Sequence, residues 1–248
     1  MSIFDAHFHI IDPRFPLVPN NGYLPAAFTV ADYRERVVPL DVSGGAVVSG
    51  SFQAFDQSYL KDALAQLGPG FVGVTQIPGD STDDEIIALD RAGVRAVRFN
   101  LYRGGSATLG DVDTLARRVH EVAGWHSEFY LDAADFTELA SILAALPRIS
   151  IDHLAMSDDT GGALLRLVES GAVVKATGFG RISVTDPDAL MRDIVTANPA
   201  ALIFGSDLPS TRAAIPFQDS DIERIADAVG ADHIDAVLAT NAQNFYRP

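Results

Sequence analysis

The sequence contains no cysteine, which excludes disulfide bonds, thiolate metal sites and cysteine nucleophiles. It also has no run of 18 consecutive apolar residues, and its N-terminus has no basic segment followed by an apolar stretch. We therefore expect no membrane span and a location in the cytoplasm.

Basic residues are scarce as well: the chain has 18 Lys and Arg against 33 Asp and Glu, which gives a formal net charge of -15. Such an acidic chain is a poor candidate for binding nucleic acid or an anionic membrane surface. We expect a small molecule as the partner, and an anionic one would have to be bound by locally gathered arginines. The oligomeric state stays open, with a homo-oligomer as one alternative.

Short β-rich runs alternate with helical patterns along the whole chain, and eight such runs can be counted. They cover 3–9, 45–50, 71–77, 94–100, 128–132, 149–154, 172–177 and 201–207. A strand followed by a helix, repeated eight times in about 250 residues, is the pattern of a (β/α)8 TIM barrel. No Pro/Ser-rich linker interrupts it, so the sequence predicts a single α/β domain over 1–248. A doubly wound sheet is the competing architecture, although no G-x-G-x-x-G follows the first run.

Helix starts are indicated by residues that commonly cap helices and that precede amphipathic runs. The candidates are Asp56, Thr82, Asp135, Thr160 and Asp186.

The first strand carries the motif D-A-H-F-H, which places three polar residues at alternate positions in an apolar run. Side chains alternate between the two faces of a strand, so we expect Asp5, His7 and His9 to share one face. A single buried histidine is often structural, but a pair flanked by a carboxylate favours a functional site.

Other polar residues mark the ends of later strands, and in a TIM barrel these C-terminal ends converge on one mouth. The candidates are Arg98, Asn100 and Arg103 at strand four, Tyr130 and Asp132 at strand five, His153 at strand six, Arg181 after strand seven and Asp207 after strand eight. Each has a structural alternative: His153 as a core histidine, Asp207 as a turn residue, and the arginines in surface ion pairs. His120, His126 and His233 lie in or beside helical runs, where we expect them at the surface.

Two kinds of chemistry fit these groups. A His-x-His pair with a distant His and Asp suits zinc, which would activate a bound water. Without metal, an aspartate flanked by histidines can act as general base toward water, while arginines hold a carboxylate and stabilise an oxyanion. Both routes lead to hydrolysis of an acyl bond, whereas a serine triad is disfavoured because no G-x-S-x-G is present.

The chain resembles the amidohydrolase superfamily through D-A-H-F-H, D-H-L at 152–154 and F-G-S-D-L-P at 204–209. Within it, the chain is most similar to the amidohydrolase-related branch of 2-pyrone-4,6-dicarboxylate lactonase and the sugar-acid lactonases. The stretches at 93–101, 124–132 and 178–183 carry this closer likeness, which runs nearly end to end.

This resemblance implies a TIM-barrel hydrolase that opens a carboxylated lactone. It makes Asp207 the general base toward water, and gives His7, His9 and His153 the tasks of positioning that water, polarising the carbonyl and protonating the leaving oxygen. It also implies that Arg98, Arg103 and Arg181 bind substrate carboxylates and that Tyr130 lines the pocket. Asn100 is a further candidate substrate-binding residue, because it lies beside these arginines.

Two departures from the superfamily pattern matter. Metal-dependent members usually end strand five with a lysine or histidine ligand, but here Tyr130 or Asp132 stands there and Lys175 falls on strand seven. No cofactor is therefore favoured, and the alternative is a single zinc on His7, His9 and Asp207. The motif around Asp207 has Leu208 and Ser210 where the family has tryptophan and histidine.

The sequence thus predicts a lactonase with an aspartate-activated water. Two alternatives remain open: a zinc-dependent amidohydrolase or decarboxylase that uses the same residues, and a barrel that binds carboxylates without catalysis.

Overall fold

The computed structural model describes residues 2–158, 160 and 162–246, without the side chains of 133–135 and 137. Eight parallel strands form one sheet in which each strand pairs with the next in sequence, from β1 to β8. The strands are β1 Ile3–Phe8, β2 Val42–Val48, β3 Phe71–Thr75, β4 Val94–Asn100, β5 His126–Tyr130, β6 Ile149–Ile151, β7 Val173–Ala176 and β8 Leu202–Phe204.

Helices follow the strands around the outside of the sheet. In the described residues these are α1 Val30–Val37, α2 Ser58–Leu67, α3 Asp83–Arg91, α4 Val112–Ala123, α5 Ala133–Ala145, α6 Ala163–Glu169, α7 Pro187–Ala197, α8 Ser220–Val229 and α9 Asn241–Tyr246. The predicted (β/α)8 TIM barrel is confirmed. The doubly wound alternative is wrong, because the strand order never reverses. None of these helices is long and apolar enough to cross a membrane.

Local capping explains where some of the helices begin. Thr82 accepts a hydrogen bond from the Glu85 backbone, and Asp186 accepts one from Ala189, so both predicted caps are confirmed. Asp56 lies one residue before the cap of α2 but still accepts from the Tyr59 backbone. Helix α6 begins three residues after Thr160, and the side chain of Asp135 lies outside the described part of the structure.

Apolar side chains form two layers on opposite sides of the sheet. The larger layer packs the strands against the helices, and the smaller one fills the bottom of the barrel. Phe4 and Val74 belong to the inner layer, which Tyr246 of α9 closes from below. Polar side chains occupy the barrel above this apolar floor.

The barrel closes between its first and last strands, just beyond the end of β8. The backbone N–H of Asp207 donates to the carbonyl of His7 at 2.7 Å, and the N–H of His9 donates to Leu208 at 2.7 Å. This seam therefore holds the two histidines of β1 beside Asp207.

Candidate active site

Four predicted residues from three parts of the barrel meet at its C-terminal mouth. The Nε2 atoms of His7 and His9 lie 3.7 and 3.6 Å from the same oxygen of Asp207, Oδ1. The ring of His153 lies 4.9 Å from that of His7, measured between centroids. All four residues are buried. The structure thus brings together the histidines and the aspartate that strand-end positions indicated.

Asp207 is held in a backbone conformation that L-residues rarely adopt, with φ of 58°. Its carboxylate forms an ion pair with Arg181, whose Nη2 lies 2.6 Å from Oδ2. Burial alone would raise the pKa of Asp207, but Arg181 and the neighbouring histidines outweigh it and hold that pKa well below its usual range. The residue is therefore a carboxylate at neutral pH.

His153 also has a left-handed backbone conformation, with φ of 52°. Its Nδ1 lies 2.6 Å from the hydroxyl of Thr177, and its Nε2 has no hydrogen-bond partner among the described residues. The ring passes so close to Gly178 that a Cβ added there would lie 2.8 Å from Nδ1. The loop after β7 therefore needs a glycine to make room for this histidine.

The two deeper histidines are uncharged at neutral pH. Burial lowers the pKa of His7 to about 4, and the positive charge of Lys175 adds to this effect. Burial likewise holds the pKa of His153 well below its usual range. Two neutral imidazoles beside a carboxylate can position water and donate or accept hydrogen bonds.

Asp5 does not share a face with His7 and His9, so that prediction is wrong. The pairing of β1 with β2 shifts register between Asp5 and Phe8, which breaks the alternation of side chains. The carboxylate of Asp5 instead accepts hydrogen bonds from the backbone and hydroxyl of Ser206, at 2.8 and 2.7 Å, and from Tyr33 of α1 at 3.1 Å. Asp5 supports the segment that carries Asp207.

A layer of paired charges lies directly beneath the site, and of its members only Arg98 was among the predicted site residues. Lys175 contacts Glu128 at 2.5 Å and Asp152 at 3.3 Å, and Arg98 contacts the other oxygen of Asp152 at 2.8 Å. Burial would raise the pKa of Glu128, but Lys175 outweighs it and the pKa falls to about 2. The sequence did hold a sign of this layer: Lys175 is a charged residue in the middle of the otherwise apolar strand A-V-V-K-A-T.

His126 was expected at the surface, which is wrong because β5 begins two residues earlier than predicted. Its side chain is buried and contacts Glu128 at 3.1 Å. Asp132 falls beyond the end of this strand.

The mouth above Asp207 is a small pocket with a basic rim. Its described lining includes four arginines and no acidic side chain: Arg98, Arg103, Arg181 and Arg212, together with His9, Asn100, Tyr130 and Thr211. Asn100 uses its side-chain oxygen to accept the backbone N–H of Arg103, at 3.1 Å, which orders the loop after β4. The pocket is suited to an anionic ligand.

The four arginines differ in how they are engaged. Arg98 is buried and already donates to Asp152 and to the carbonyl of Ser49, at 2.9 Å. Arg103 lies over the ring of Tyr102 and is half-buried. Arg212, which was not among the predicted site residues, lies over Tyr23 and donates to the carbonyl of Asn20 at 2.6 Å. Its position after β8 was a signal that could have identified it.

Two groups of side chains have the composition of a metal site. His7, His9 and Asp207 form one, and His7, Asp152 and His153 form the other, with their donor atoms within 4.8 Å of one another. The carboxylate of each group is already paired with a basic side chain. Asp207 forms an ion pair with Arg181, and Asp152 forms ion pairs with Lys175 and Arg98. The donor set therefore fits a divalent ion poorly, because the negative charge that would attract it is already neutralised.

The eight-stranded parallel barrel, with histidines and an aspartate gathered at its strand ends, has the fold and the motifs expected of the amidohydrolase superfamily. The amidohydrolase family model matches residues 4–247, and the chain belongs to that family, as the sequence motifs predicted. The chain is accordingly a hydrolase of the amidohydrolase superfamily.

Two curated relatives match most of this chain. It is 28% identical over 232 residues to a 2-pyrone-4,6-dicarboxylate hydrolase from Comamonas testosteroni, covering 83% of this chain and 76% of that protein. It is 23% identical over 239 residues to D-galactarolactone isomerase from Agrobacterium fabrum, covering 87% of this chain and 80% of that protein.

Among solved structures, one described as a probable 2-pyrone-4,6-dicarboxylic acid hydrolase from Acinetobacter baumannii, with citric acid bound, superposes with a TM-score of 0.83. It is 21% identical and the match covers 100% of both chains. An Agrobacterium tumefaciens protein superposes with a TM-score of 0.86 at 20% identity, covering 99% of this chain and 96% of that one. These likenesses support the fold.

Proposed function

We propose that this protein hydrolyses the ring ester of a lactone that carries carboxylate groups. The observation that carries the proposal is the placement of the Asp207 carboxylate, flanked by two imidazoles, beneath a pocket whose rim has four arginines and no described acid. The similarity to a 2-pyrone-4,6-dicarboxylate hydrolase supports the same class of substrate.

The rim suits a substrate with more than one negative charge. Arg103 and Arg212 are half-buried residues of the lining, and Arg181 forms an ion pair with Asp207. An arginine can hold a carboxylate through two parallel N–H bonds, which fixes its orientation as well as its position. A lactone with carboxylates on two sides of the ring could engage two of these arginines at once.

The reaction follows from the contacts of Asp207. A water lying between Asp207 and the lactone carbonyl would give a proton to the carboxylate as its oxygen attacks the carbonyl carbon. The oxyanion that forms would be stabilised by neutral N–H donors of the site. When the carbon–oxygen bond of the ring breaks, the proton held by Asp207 passes to the leaving oxygen, directly or through a histidine. One water is consumed and a carboxylic acid is formed, which becomes a carboxylate by releasing its proton to solvent.

The ion pair with Arg181 limits the basicity of Asp207 in the free protein, because the guanidinium holds the pKa of that carboxyl down. A substrate carboxylate that binds Arg181 would compete for the same positive charge. Asp207 would then become a stronger base when substrate is bound, which couples binding to the activation of water.

The test is a panel of pyrone, muconolactone and aldonolactone substrates, assayed with and without a chelator. Asp207→Asn should lower kcat on the accepted lactone by roughly 10²- to 10⁴-fold, the range expected for loss of a general base. Asp113→Asn makes the same change in an exposed ion pair with Arg117 and should leave kcat unchanged. Circular dichroism of both variants shows that they fold.

Each alternative function corresponds to a different result. Activity of the Asp207→Asn variant within a few-fold of the parent would rule out this base. Turnover that needs added zinc and disappears with chelator would favour a metal-dependent amidohydrolase or decarboxylase. Tight binding of dicarboxylates without consumption of any lactone would favour a binding protein.

A further inference from the structure

The ammonium group of Lys175 is buried at the centre of the barrel, directly below the site. It lies within hydrogen-bond distance of Glu128 Oε2 at 2.5 Å and of His7 Nδ1 at 3.2 Å, and it forms an ion pair with Asp152 Oδ1 at 3.3 Å that lacks the geometry of a hydrogen bond. Both carboxylates are within ion-pair distance of the ammonium. One N–H of the ammonium is thus directed at Nδ1 of His7.

This contact determines which nitrogen of His7 carries hydrogen. Two groups face Nδ1 of His7: the Lys175 ammonium at 3.2 Å, which can only donate, and Asp152 Oδ1 at 3.4 Å, which can only accept. Because the lysine contact is the shorter one and Asp152 Oδ1 has no hydrogen-bond partner, we assign Nδ1 of His7 as an acceptor. The single hydrogen of the neutral ring then lies on Nε2, which has no hydrogen-bond partner among the described residues and is 3.7 Å from Asp207. The opposite tautomer would point an N–H at the ammonium.

His9 is held in the other tautomer by its own partner. Its Nδ1 lies 2.7 Å from the backbone carbonyl of Val48, an atom that can only accept. Nδ1 must therefore carry hydrogen, and in the neutral form of the ring Nε2 has a lone pair, 3.6 Å from Asp207. The two histidines of one strand thus offer opposite groups to the same point: a donor from His7 and an acceptor from His9.

We propose that Lys175 is a positioning residue that fixes His7 as an Nε2–H donor to the carbonyl oxygen of the substrate. His9 and Asp207, which both present acceptors, then hold the attacking water between them. This division of roles rests on the proposed lactone hydrolysis. In it, the buried Lys175 does not contact the substrate but sets the tautomer of the histidine that donates to the oxyanion. A nitrogen that carries hydrogen has no lone pair for a metal, so the same contact removes one ligand from the group His7, His9 and Asp207.

The wild-type protein provides the direct test. Long-range ¹H–¹⁵N spectra of the imidazole rings distinguish a nitrogen that carries hydrogen from one that does not, and the chain has only six histidines. The His7 signals are identified by their loss in His7→Gln. We expect Nε2 of His7 to be protonated and Nδ1 bare, with the reverse for His9. A His7 ring protonated at Nδ1 would overturn the proposal.

A variant tests whether the lysine causes this state. Lys175→Met alone would leave Glu128 unpaired in the core, so it is combined with Glu128→Gln, which leaves Asp152 paired with Arg98. We expect the hydrogen of His7 to move to Nδ1, toward Asp152 at 3.4 Å, and kcat to fall at least tenfold with KM changed less than threefold. Glu128→Gln alone is the control and should keep the wild-type tautomer.

The outcomes separate this inference from the proposed function. A lower kcat with an unchanged tautomer would make Lys175 merely structural, and a changed tautomer with unchanged kcat would remove its catalytic importance. Either result overturns the proposal. If the double variant does not fold, the wild-type spectrum alone decides whether Nε2 of His7 carries the hydrogen. A wild-type protein with the expected tautomers that consumes no lactone would refute the lactonase assignment while supporting the placement of hydrogen on His7.

Discussion

His7 is buried and uncharged, and this makes its protonation a source of pH-dependent stability. Its pKa is about 4 in the folded protein and about 6.5 when unfolded. Between these values the unfolded chain binds more protons, so the free energy of unfolding falls as the pH drops from about 6.5 to 4. We expect His7 to contribute a loss of roughly 3 kcal/mol over that window.

The measurement is the free energy of unfolding by urea at several pH values, compared with His7→Gln. The difference between the two proteins isolates His7, which is necessary because burial raises the pKa of Asp5 to about 6 and gives the opposite slope between about 4 and 6. Parallel curves for the two proteins would contradict the prediction.

At the scale of an element, the loop after β7 is shaped by the need to pass His153. Gly178 has φ of 66°, and a methyl group there would meet the imidazole at 2.8 Å. Gly178→Ala should therefore displace His153 and lower kcat by at least tenfold, in addition to the backbone cost of about 1–2 kcal/mol for a left-handed alanine. Steady-state kinetics and urea unfolding measure the two effects.

Gly124 supplies the matched control, because it has nearly the same φ, 70°, at the end of α4, and a methyl group added there would have no neighbouring atom within 4 Å. Gly124→Ala should lose similar stability and keep its kcat. If both variants lost kcat equally, or neither did, the close contact at His153 would have no role in catalysis.

The strands also show how far the sequence alone leads. His7, His9, His153 and Asp207 could be grouped from their positions because every parallel barrel brings its strand ends to one mouth. The pairing of Lys175 with Glu128 could not, because it depends on the register of three strands and on which charges neutralise one another. The register shift in β1 was equally hidden, and it moved Asp5 away from the face that strict alternation predicted.

Taken as a whole molecule, the protein carries a formal charge of -15 but presents arginines at the mouth of its pocket. An anionic substrate is thus repelled by much of the surface and attracted by this one region. We expect kcat/KM for a dicarboxylated lactone to fall roughly tenfold as salt rises from about 0.1 to 1 M, because at about 0.1 M the repulsion from the distant surface is already screened and further salt weakens the local attraction.

Arg212→Ala should lower kcat/KM at low salt and give a shallower dependence on salt, since it removes one charge from the half-buried rim. An uncharged lactone serves as the control substrate and should show little change with salt. A steeper dependence in the variant, or the same dependence with the uncharged lactone, would argue against binding through the arginine rim.

The seam between the first and last strands has a consequence for how the molecule is made. Asp5 and Ser206, which are hydrogen-bonded across it, lie 201 residues apart in the chain. A ribosome synthesises β1 before the seven other strands, yet the strand keeps an unpaired edge until β8 emerges. The nascent chain is therefore without activity, and exposed to mispairing at that edge, until nearly all of the barrel has been translated.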